Sequence, residues 1–529
     1  MPVGLLLLAA LVIVVLQRLR PSVGYAWLAG SAAALASFGF MLFLRWRLPF
    51  QISISNWLPF STFTDSPIFG LDGSSWPYAF GLCAVILGVM LSASARLGYQ
   101  IAPTAWAGAL LVAAAGLLAV YAANLLTLAL TWTAVDLIDL VILSAYSQNR
   151  SFGVQTVIAF GLRVTGMLLV VLAALINRSQ GVPPTFAGLP PLSAFFLLLA
   201  AGLRLGVLPL NLPTLPEMRL RRGLGTVLRA SAAASGLVVL ARLPAQSFSP
   251  SLLNWVIGLS TLAVLYAAAM WLAVPDEIAG RPYWLIALSG MAVICAVRGD
   301  PRASMAWGSA LLLTGSLLFL YTARMRGTLV LPLLGLLGLS GLPFTPAAGG
   351  WIGLLSGPLR FWQAVLILAH IFLLLGYLRF AVRSGDPLRD MERWVQVVYP
   401  FGLFLLAAAQ WVIGTLGWSG AFTLGVWWVS PLTGLGLALG GGISLWLRRI
   451  ELAAPAPLEW YQVTSRQVGG FLARLFSLGW LYNLLWAVYR RMEQLVHFVT
   501  TLLEGDGGVL WVFVLLALFV SFLTARILP

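Results

Sequence analysis

The sequence has 529 residues, of which 60% are hydrophobic and 9% are charged, and its mean hydropathy is +0.96. Apolar runs of bilayer-spanning length recur throughout the chain, so this composition excludes a soluble globular protein and predicts an all-α polytopic membrane protein. In a membrane protein, we attribute the formal net charge of +15 to membrane topology and contact with lipids. We therefore expect no nucleic acid as a partner.

The apolar runs predict about sixteen transmembrane helices. In chain order they lie at residues 3–17, 23–44, 77–95, 104–122, 125–146, 153–176, 190–211, 224–241, 252–274, 283–297, 304–322, 329–354, 361–382, 397–415, 425–447 and 508–527. A further stretch, at about 458–503, mixes aromatic and apolar residues with arginines, and it predicts an amphipathic lateral helix along the membrane surface. A re-entrant hairpin, or an ordinary pair of cytoplasmic helices, is the alternative for this stretch.

Two of the predicted helices are interrupted by a pair of prolines. Pro209 and Pro213 interrupt the seventh helix, and Pro343 and Pro346 interrupt the twelfth. A proline inside a helix removes a backbone donor and clashes with the preceding turn, so both helices are expected to break. Two breaks about half a chain apart indicate a transporter with two inverted five-helix repeats. Two proline kinks without function are the alternative.

These features divide the chain into six parts. They are N-terminal transmembrane helices (1–100), a first inverted repeat (101–242), a second inverted repeat (243–385), additional transmembrane helices (386–450), the lateral helix (451–505) and a C-terminal anchor helix (506–529).

Loop arginines predict the orientation, because inner loops carry more basic residues than outer loops. With the N-terminus outside, the inner loops contain Arg18, Arg20, Arg96, Arg150, Arg219, Arg221, Arg222, Arg281, Arg324, Arg326, Arg383, Arg389, Arg393, Arg448 and Arg449. The outer loops contain fewer, namely Arg45, Arg47, Arg178, Arg242, Arg298, Arg302 and Arg360. We therefore expect a multi-pass protein of the cell inner (plasma) membrane with both termini outside and the lateral helix on the cytoplasmic side.

Charged residues inside the predicted helices are candidates for a proton path, because an intramembrane charge is costly to keep. Asp136 and Asp139 are three residues apart and share one helix face, and burial beside a like charge favours the protonated carboxyl. The alternative is that Arg163 or Arg204 pairs with an aspartate only to stabilise the fold. Arg229 lies near the start of its helix, where it is also suited to the inner surface. His370 is a candidate relay or a hydrogen-bonded core histidine.

The composition of the basic residues restricts the chemistry, because all 31 are arginine and none is lysine. Arginine stays protonated, so a relay that needs a titratable cation is left with the two histidines. The sequence contains no Walker loop, dinucleotide fingerprint, CxxC pair or HExxH motif, so it predicts no cofactor, no metal site and no catalytic site of its own.

Several stretches resemble the antiporter-like subunits of complex I (NADH:quinone oxidoreductase) and of Mrp-type cation/proton antiporters. They are FGLDGSSWPYAF at 69–80, TWTAVDLIDLVILSAY at 131–146, FGLRVTGM at 160–167, LRLGVLPLNLPTLPE at 203–217, ASGLVVLAR at 234–242 and LSGLPFTPAAGGW at 339–351. The lateral stretch and the final helix most resemble the distal, lateral-helix-bearing subunit. The resemblance implies that Asp139 replaces the fifth-helix glutamate and Arg204 its lysine partner, so these two side chains are expected to pair.

The sequence also departs from the family. The eighth-helix lysine position falls near Ala234, and Trp307 and Gly308 stand where an eleventh-helix histidine is usual. No charged residue follows Pro346 in the twelfth helix, so the relay of the second half is interrupted.

The resemblance implies an antiporter-like membrane-arm subunit of a complex I-like redox-driven proton pump. Such a subunit would contribute a degenerate proton path, brace its neighbours and have other membrane subunits and lipids as partners. An Mrp-like cation/proton or inorganic-carbon transport module, or a purely structural relic, is the alternative.

Overall fold

The computed structural model describes residues 1–19, 23–54, 66–97, 103–146, 150–212, 220, 222–244, 248–451, 486–487, 490–494 and 508–525. Its helices are α1 (Pro2–Leu19), α2 (Val23–Leu44), α3 (Trp76–Ser92), α4 (Pro103–Tyr121), α5 (Leu125–Tyr146), α6 (Arg150–Ser179), α7 (Pro191–Leu205), α8 (Arg222–Ala241), α9 (Pro250–Ala273), α10 (Glu277–Val297), α11 (Pro301–Leu320), α12 (Val330–Leu339), α13 (Ala348–Leu355), α14 (Phe361–Val382), α15 (Arg393–Leu416), α16 (Val429–Glu451) and α17 (Gly508–Ala525).

Two pairs of very short strands lie in loops between these helices. Strand β1 (Phe50–Ser53) pairs antiparallel with β2 (Ile68–Leu71), with Phe50 opposite Leu71. Strand β3 (Ala323–Arg324) pairs in parallel with β4 (Asp386–Pro387). Neither pair forms a closed sheet, so the described part of the chain is an all-α structure, as the composition predicts.

Twelve of the described helices are long and apolar enough to cross a membrane, and three further apolar helices are shorter. The chain is therefore a multi-pass membrane protein. The total of sixteen spans stays a prediction, and so does the lateral helix, because most of 451–505 lies outside the described residues.

The helices of each predicted repeat contact one another in sequence order and close into a ring. In the first ring, α4 to α8 pack consecutively and α4 also packs against α8. In the second ring, α9, α10, α11, α12 and α14 follow one another and α14 packs back against α9. Because α8 also contacts α10 and α11, the two rings meet along α8.

The centre of the bundle consists of α3, α8 and α11, which contact one another and are almost wholly buried. Small residues allow their backbones and those of their neighbours to approach closely, as is usual for helices in membranes. At Gly116 of α4, an added Cβ would lie 2.6 Å from the Cβ of Ser231 on α8. Residues 470–529, including α17, form a second compact unit.

Both expected breaks contain a glycine with a left-handed backbone. Helix α7 ends at Leu205, and Gly206 follows with φ of 78°. Helix α12 ends at Leu339, Gly341 has φ of 75°, and α13 begins at Ala348. The predicted helices 190–211 and 329–354 are therefore both shorter than expected, because each glycine adopts a conformation that side chains disfavour and a proline follows within three residues.

Candidate functional site

Two carboxylates lie inside the first ring of helices. Asp136 and Asp139 are on α5, with 2% and 0% of their surface exposed. Their three-residue spacing places both on the face of α5 that contacts the interior of the ring. Because water is excluded there, each ionised carboxylate needs a positive partner nearby.

Two arginines supply the partners. Nη1 of Arg163, on α6, lies 2.5 Å from Oδ2 of Asp139 and 3.9 Å from Oδ1 of Asp136. Arg204, near the end of α7, donates from Nη1 to Oδ2 of Asp136 at 2.9 Å, and its Nη2 lies 2.9 Å from Oδ1. The structure thus gathers these four sequence-predicted residues into one buried cluster with balanced formal charges, which we call the four-charge cluster.

The expected pair of Asp139 with Arg204 is wrong in this structure, because Arg204 contacts Asp136. The three-residue spacing separates the two carboxylates by most of a helical turn, and each then meets an arginine from a different helix. Sequence position alone does not reveal which turn of α5 lies opposite the end of α7. The alternative that Arg163 holds Asp139 had been left open by the sequence.

The break after α7 fixes the position of Arg204. The left-handed Gly206 turns the chain back, and the amides of Val207 and Leu208 both donate to the Gly202 carbonyl. The side chain of Asn211 donates to the Leu203 carbonyl at 3.4 Å. Carbonyl groups freed by the break are therefore hydrogen-bonded, as a membrane interior requires.

Two further contacts hold the Arg204 side chain, and the sequence did not single out either partner. Nε of Arg204 donates to the hydroxyl of Ser235 on α8 at 3.0 Å, and its guanidinium lies 4.5 Å from the ring centre of Trp132 on α5. The aromatic face adds a cation–π attraction. Side chains from α5 and α8 therefore hold Arg204 in place at the end of α7.

Asp139 differs from Asp136 in one respect that matters for proton chemistry. Neither Oδ1 makes a hydrogen bond to a described residue, but Oδ1 of Asp136 lies 2.9 Å from Nη2 of Arg204. Oδ1 of Asp139 has no described arginine within 4.0 Å, and Arg163 contacts only its Oδ2. A neutral carboxyl needs one oxygen for the proton and keeps the other as an acceptor. The geometry at Asp139 therefore allows protonation at Oδ1 without a clash with an existing donor.

Arg229 and Arg281 extend the positive charge from the first ring towards α10. Arg229, on α8, is buried, and its Nη1 donates to the Gly225 carbonyl at 3.2 Å. Arg281 was expected in an inner loop, and this is wrong, because it lies within α10 and is 1% exposed. The missed signal was the N-cap Asp276, whose side chain accepts from the amides of Ile278 and Ala279 and starts the helix earlier than hydropathy indicates.

Four arginines that were expected on the inner side line one open cavity of about 720 Å³, and they are Arg96, Arg222, Arg324 and Arg383. Nη1 of Arg222 lies 2.5 Å from Oε1 of Glu277 at the same cavity. Among the outer-loop arginines, Arg298 and Arg360 border a separate cavity of about 340 Å³. These four inner-set arginines and two outer-set arginines therefore line different cavities, and the orientation of the chain stays a prediction.

An ion pair lies in the loops near the ends of α3 and α8. Nη2 of Arg242 is 3.1 Å from Oδ2 of Asp72, and Oδ1 of Asp72 accepts from the amides and hydroxyls of Ser74 and Ser75. Partial burial acts to raise the pKa of Asp72, but the charge of Arg242 and these hydrogen bonds outweigh it, and the pKa lies below its ordinary value.

His370 belongs to the second ring and not to the four-charge cluster. On α14 it is fully buried, with its ring centre 5.7 Å from that of Trp307 and 5.1 Å from that of Trp351. Neither ring nitrogen makes a well-aligned hydrogen bond to a described residue, although the backbone of Leu339 lies beside the ring. His370 is therefore enclosed by aromatic rings, and the structure places neither a carboxylate nor a hydrogen-bonding relay partner beside it among the described residues.

The second ring has its carboxylates at helix ends. Between residues 250 and 382 they are Asp276, Glu277 and Asp300. Asp276 and Asp300 cap the N-termini of α10 and α11, and Glu277 is the first residue of α10. The second ring therefore has no counterpart to Asp136 and Asp139.

The prolines lie at the breaks and take no part in the charged contacts. Pro209 follows Gly206, and Asn211 donates to its carbonyl at 3.1 Å. Pro343 and Pro346 lie between α12 and α13. Pro213 lies outside the described residues. Within the part of the chain that the structure describes, no three His, Cys, Asp or Glu side chains gather in a way that suits a metal ion.

Fold and site together define the chain as a polytopic membrane protein with paired charges inside one helical ring and a broken helix in each ring. No protein-family model matches the sequence, and no curated protein does. Solved structures do match.

The chain is similar to a subunit of the membrane-bound sulfane sulfur reductase (MBS), an archaeal respiratory membrane complex, with TM-score 0.69, 15% identity, and 98% of this chain and 100% of that chain covered. It is similar to a chain of the Mrp complex from Dietzia sp. DQ12-45-1b, with TM-score 0.68, 16% identity, and 94% and 62% covered. It is also similar to a chain of respiratory complex I from Thermus thermophilus, with TM-score 0.59, 17% identity, and 79% and 98% covered. The expected resemblance to antiporter-like subunits is confirmed at the level of the fold.

Proposed function

We propose that the chain is an antiporter-like membrane-arm subunit of a redox-driven, complex I-like proton pump, of the distal type, and that Asp139 is its site of proton exchange. The four-charge cluster carries this proposal. Two carboxylates and two arginines inside a membrane are costly to maintain, and such groups mark ion and proton pathways. Of the two carboxylates, Asp139 is the one with a buried oxygen, Oδ1, that has no described arginine within 4.0 Å.

Protonation of Asp139 would change the balance of the whole cluster. Arg163 would then lose its main counter-charge and would be attracted towards Asp136, whose Oδ1 lies 3.9 Å from its Nη1. Asp136 already pairs with Arg204, so the approach of the Arg163 charge would weaken that pair as well. The cluster is thus suited to convert a proton on Asp139 into a rearrangement of Arg204 beside the helix break.

The likeness to subunits of two respiratory complexes supports membership of a multi-subunit assembly in a cell membrane. We place both termini outside and the lateral segment, 451–505, on the cytoplasmic side, where it would brace neighbouring subunits. An Mrp-like cation/proton or inorganic-carbon transport module is the alternative that the likeness to the Mrp complex favours. Partners that co-purify with the tagged chain distinguish them, because redox subunits support the first and further transporter subunits the second.

The test is Asp139→Asn in the assembled complex. The amide keeps the size of the side chain but does not exchange a proton, so we expect proton uptake into vesicles to be abolished at unchanged complex yield. Asp390→Asn, at an exposed loop position, is the matched control and should leave both unchanged. Unchanged proton uptake in Asp139→Asn would refute the role of Asp139.

A structural subunit without transport is a second candidate, and two observations favour it. Both intramembrane carboxylates are paired with arginines, and the second ring provides no carboxylate to continue a path. If the cluster only holds helices together, Asp139→Asn leaves Arg163 without its main counter-charge. Breaking a buried pair from one side costs about 3–5 kcal/mol, so the loss would then appear as reduced complex yield.

A further inference from the structure

A small cavity lies where the two rings meet, between α8, α10 and α11. Its volume is about 20 Å³, and Arg229, Arg281, Trp284, Leu311 and Phe319 are among its lining residues. A space of this size holds one water-sized occupant. It is distinct from the four-charge cluster, whose residues do not line it.

Arg281 is the side chain that requires an explanation. It is 1% exposed, and its Nη2 donates to the Arg222 carbonyl at 3.0 Å. Among the described residues, its buried Nε and Nη1 have no hydrogen-bond partner, and no carboxylate lies within 4.0 Å of its guanidinium. The face of Phe319, 5.3 Å away, provides only a partial compensation for a buried cation.

A second cation borders the same space. The position of a Cβ added to Gly225 would be 2.6 Å from Nη1 of Arg281 and 3.2 Å from Nη1 of Arg229. Glycine at this position leaves room for both guanidinium groups to approach. Because like charges repel more strongly where water is excluded, an anion between them would stabilise the fold.

We propose that this cavity binds one monatomic monovalent anion of the chloride class, with Arg281 as its principal ligand and Arg229 as the second positive charge. Chloride accepts hydrogen bonds from Nε–H and Nη–H groups, which Arg281 offers without a partner. Oxyanions such as sulfate or bicarbonate have several heavy atoms and exceed the size of the cavity. A water molecule fits, but it does not neutralise charge.

An open cavity lies beside the proposed anion site. Arg222, whose carbonyl holds Arg281, also lines the open cavity of about 720 Å³ together with Arg96 and Arg324. These positive side chains raise the local concentration of anions at its mouth. The anion site does not depend on proton transport, so its test is independent of the proposed function.

The test is equilibrium binding of radioactive chloride to the full-length chain in detergent at constant ionic strength, with gluconate as the replacement anion. We expect saturable binding of one chloride per chain that bromide displaces and sulfate does not. Arg281→Gln should weaken it at least tenfold. Arg302→Gln, an exposed arginine on α11, is the matched control and should bind as the native chain does.

A second variant protects the test from misfolding. Ala230→Val narrows the cavity, which Ala230 lines, while it keeps both arginines. We expect this variant to lose chloride binding and to elute as the native chain does in size-exclusion chromatography. Absence of saturable chloride binding to the native chain would mean that the cavity holds only water, and it would overturn the proposal. Native affinity in Arg281→Gln would overturn it equally.

Discussion

A double-mutant cycle on Asp136 and Arg204 tests whether their ion pair organises the first ring. Asp136→Leu leaves Arg204 with Ser235 and Trp132, so we expect a loss near the lower end of the usual range, about 3 kcal/mol in the free energy of unfolding. Arg204→Met leaves Asp136 with only Arg163, at 3.9 Å, so we expect a loss near the upper end, about 5 kcal/mol.

The double variant removes both charges and replaces them with apolar side chains of similar length. Replacing a buried pair in this way is often neutral or stabilising, so we expect the double variant to lie within about 1 kcal/mol of the native chain. The assay is equilibrium unfolding in mixed micelles with increasing denaturing detergent, followed by tryptophan fluorescence. Additive losses in the double variant, or single losses below about 1 kcal/mol, would refute the reasoning.

Three further predictions concern packing, backbone conformation and pH. Gly116→Ala places a methyl group 2.6 Å from the Cβ of Ser231 and should cost about 1–3 kcal/mol in the same unfolding assay, because α4 and α8 must separate. Gly341→Ala forces a side chain into a left-handed backbone with φ of 75° and should cost at least about 1–2 kcal/mol. The ion pair of Asp72 with Arg242 contributes its full stabilisation when the pH is above the ordinary carboxyl pKa. This stabilisation is lost as the pH falls through the lower pKa that Asp72 has in the folded chain. Asp72→Asn should therefore remove the part of the acid-side decrease in melting temperature that this pair causes.

Matched controls make the same chemical change at positions that lack the contact in question. Gly161→Ala in α6 adds a methyl group with nothing within 4 Å, so it should leave stability within about 0.5 kcal/mol. Asp390→Asn, at an exposed position, should keep the native pH profile. Equal losses in Gly116→Ala and Gly161→Ala, or a native acid-side decrease in Asp72→Asn, would contradict the corresponding prediction.

The sequence was sufficient for the membrane class, both helix breaks and the members of the four-charge cluster, because each depends on local physics. A charge inside an apolar run and a proline inside an apolar run are recognisable without tertiary contacts, whereas the left-handed glycines at the breaks were not predicted. The pairing within the cluster was not predictable, since it depends on how far α7 extends beside α5. Hydropathy also missed Arg281, because a helix that starts with polar residues resembles a loop when only apolar runs are counted.

The surroundings of His370 in the second ring also could not be predicted from the sequence. His370 was a reasonable relay candidate from its position in an apolar helix. Its surroundings come from Trp307 on α11 and Trp351 on α13, and no sequence pattern predicts that these two distant segments enclose the imidazole ring. The first ring is therefore where we place the proposed proton chemistry.

Infrared difference spectroscopy tests most directly whether Asp139 exchanges a proton inside the first ring. Spectra of the purified chain at two pH values report the C=O stretch of protonated carboxyl groups, and hydrogen–deuterium exchange identifies the buried ones. We predict a pH-dependent band from a buried carboxyl in the native chain and in Asp390→Asn, and its disappearance in Asp139→Asn. The same band in Asp139→Asn, or no such band in the native chain, would contradict the assignment of Asp139 as the proton-exchange site.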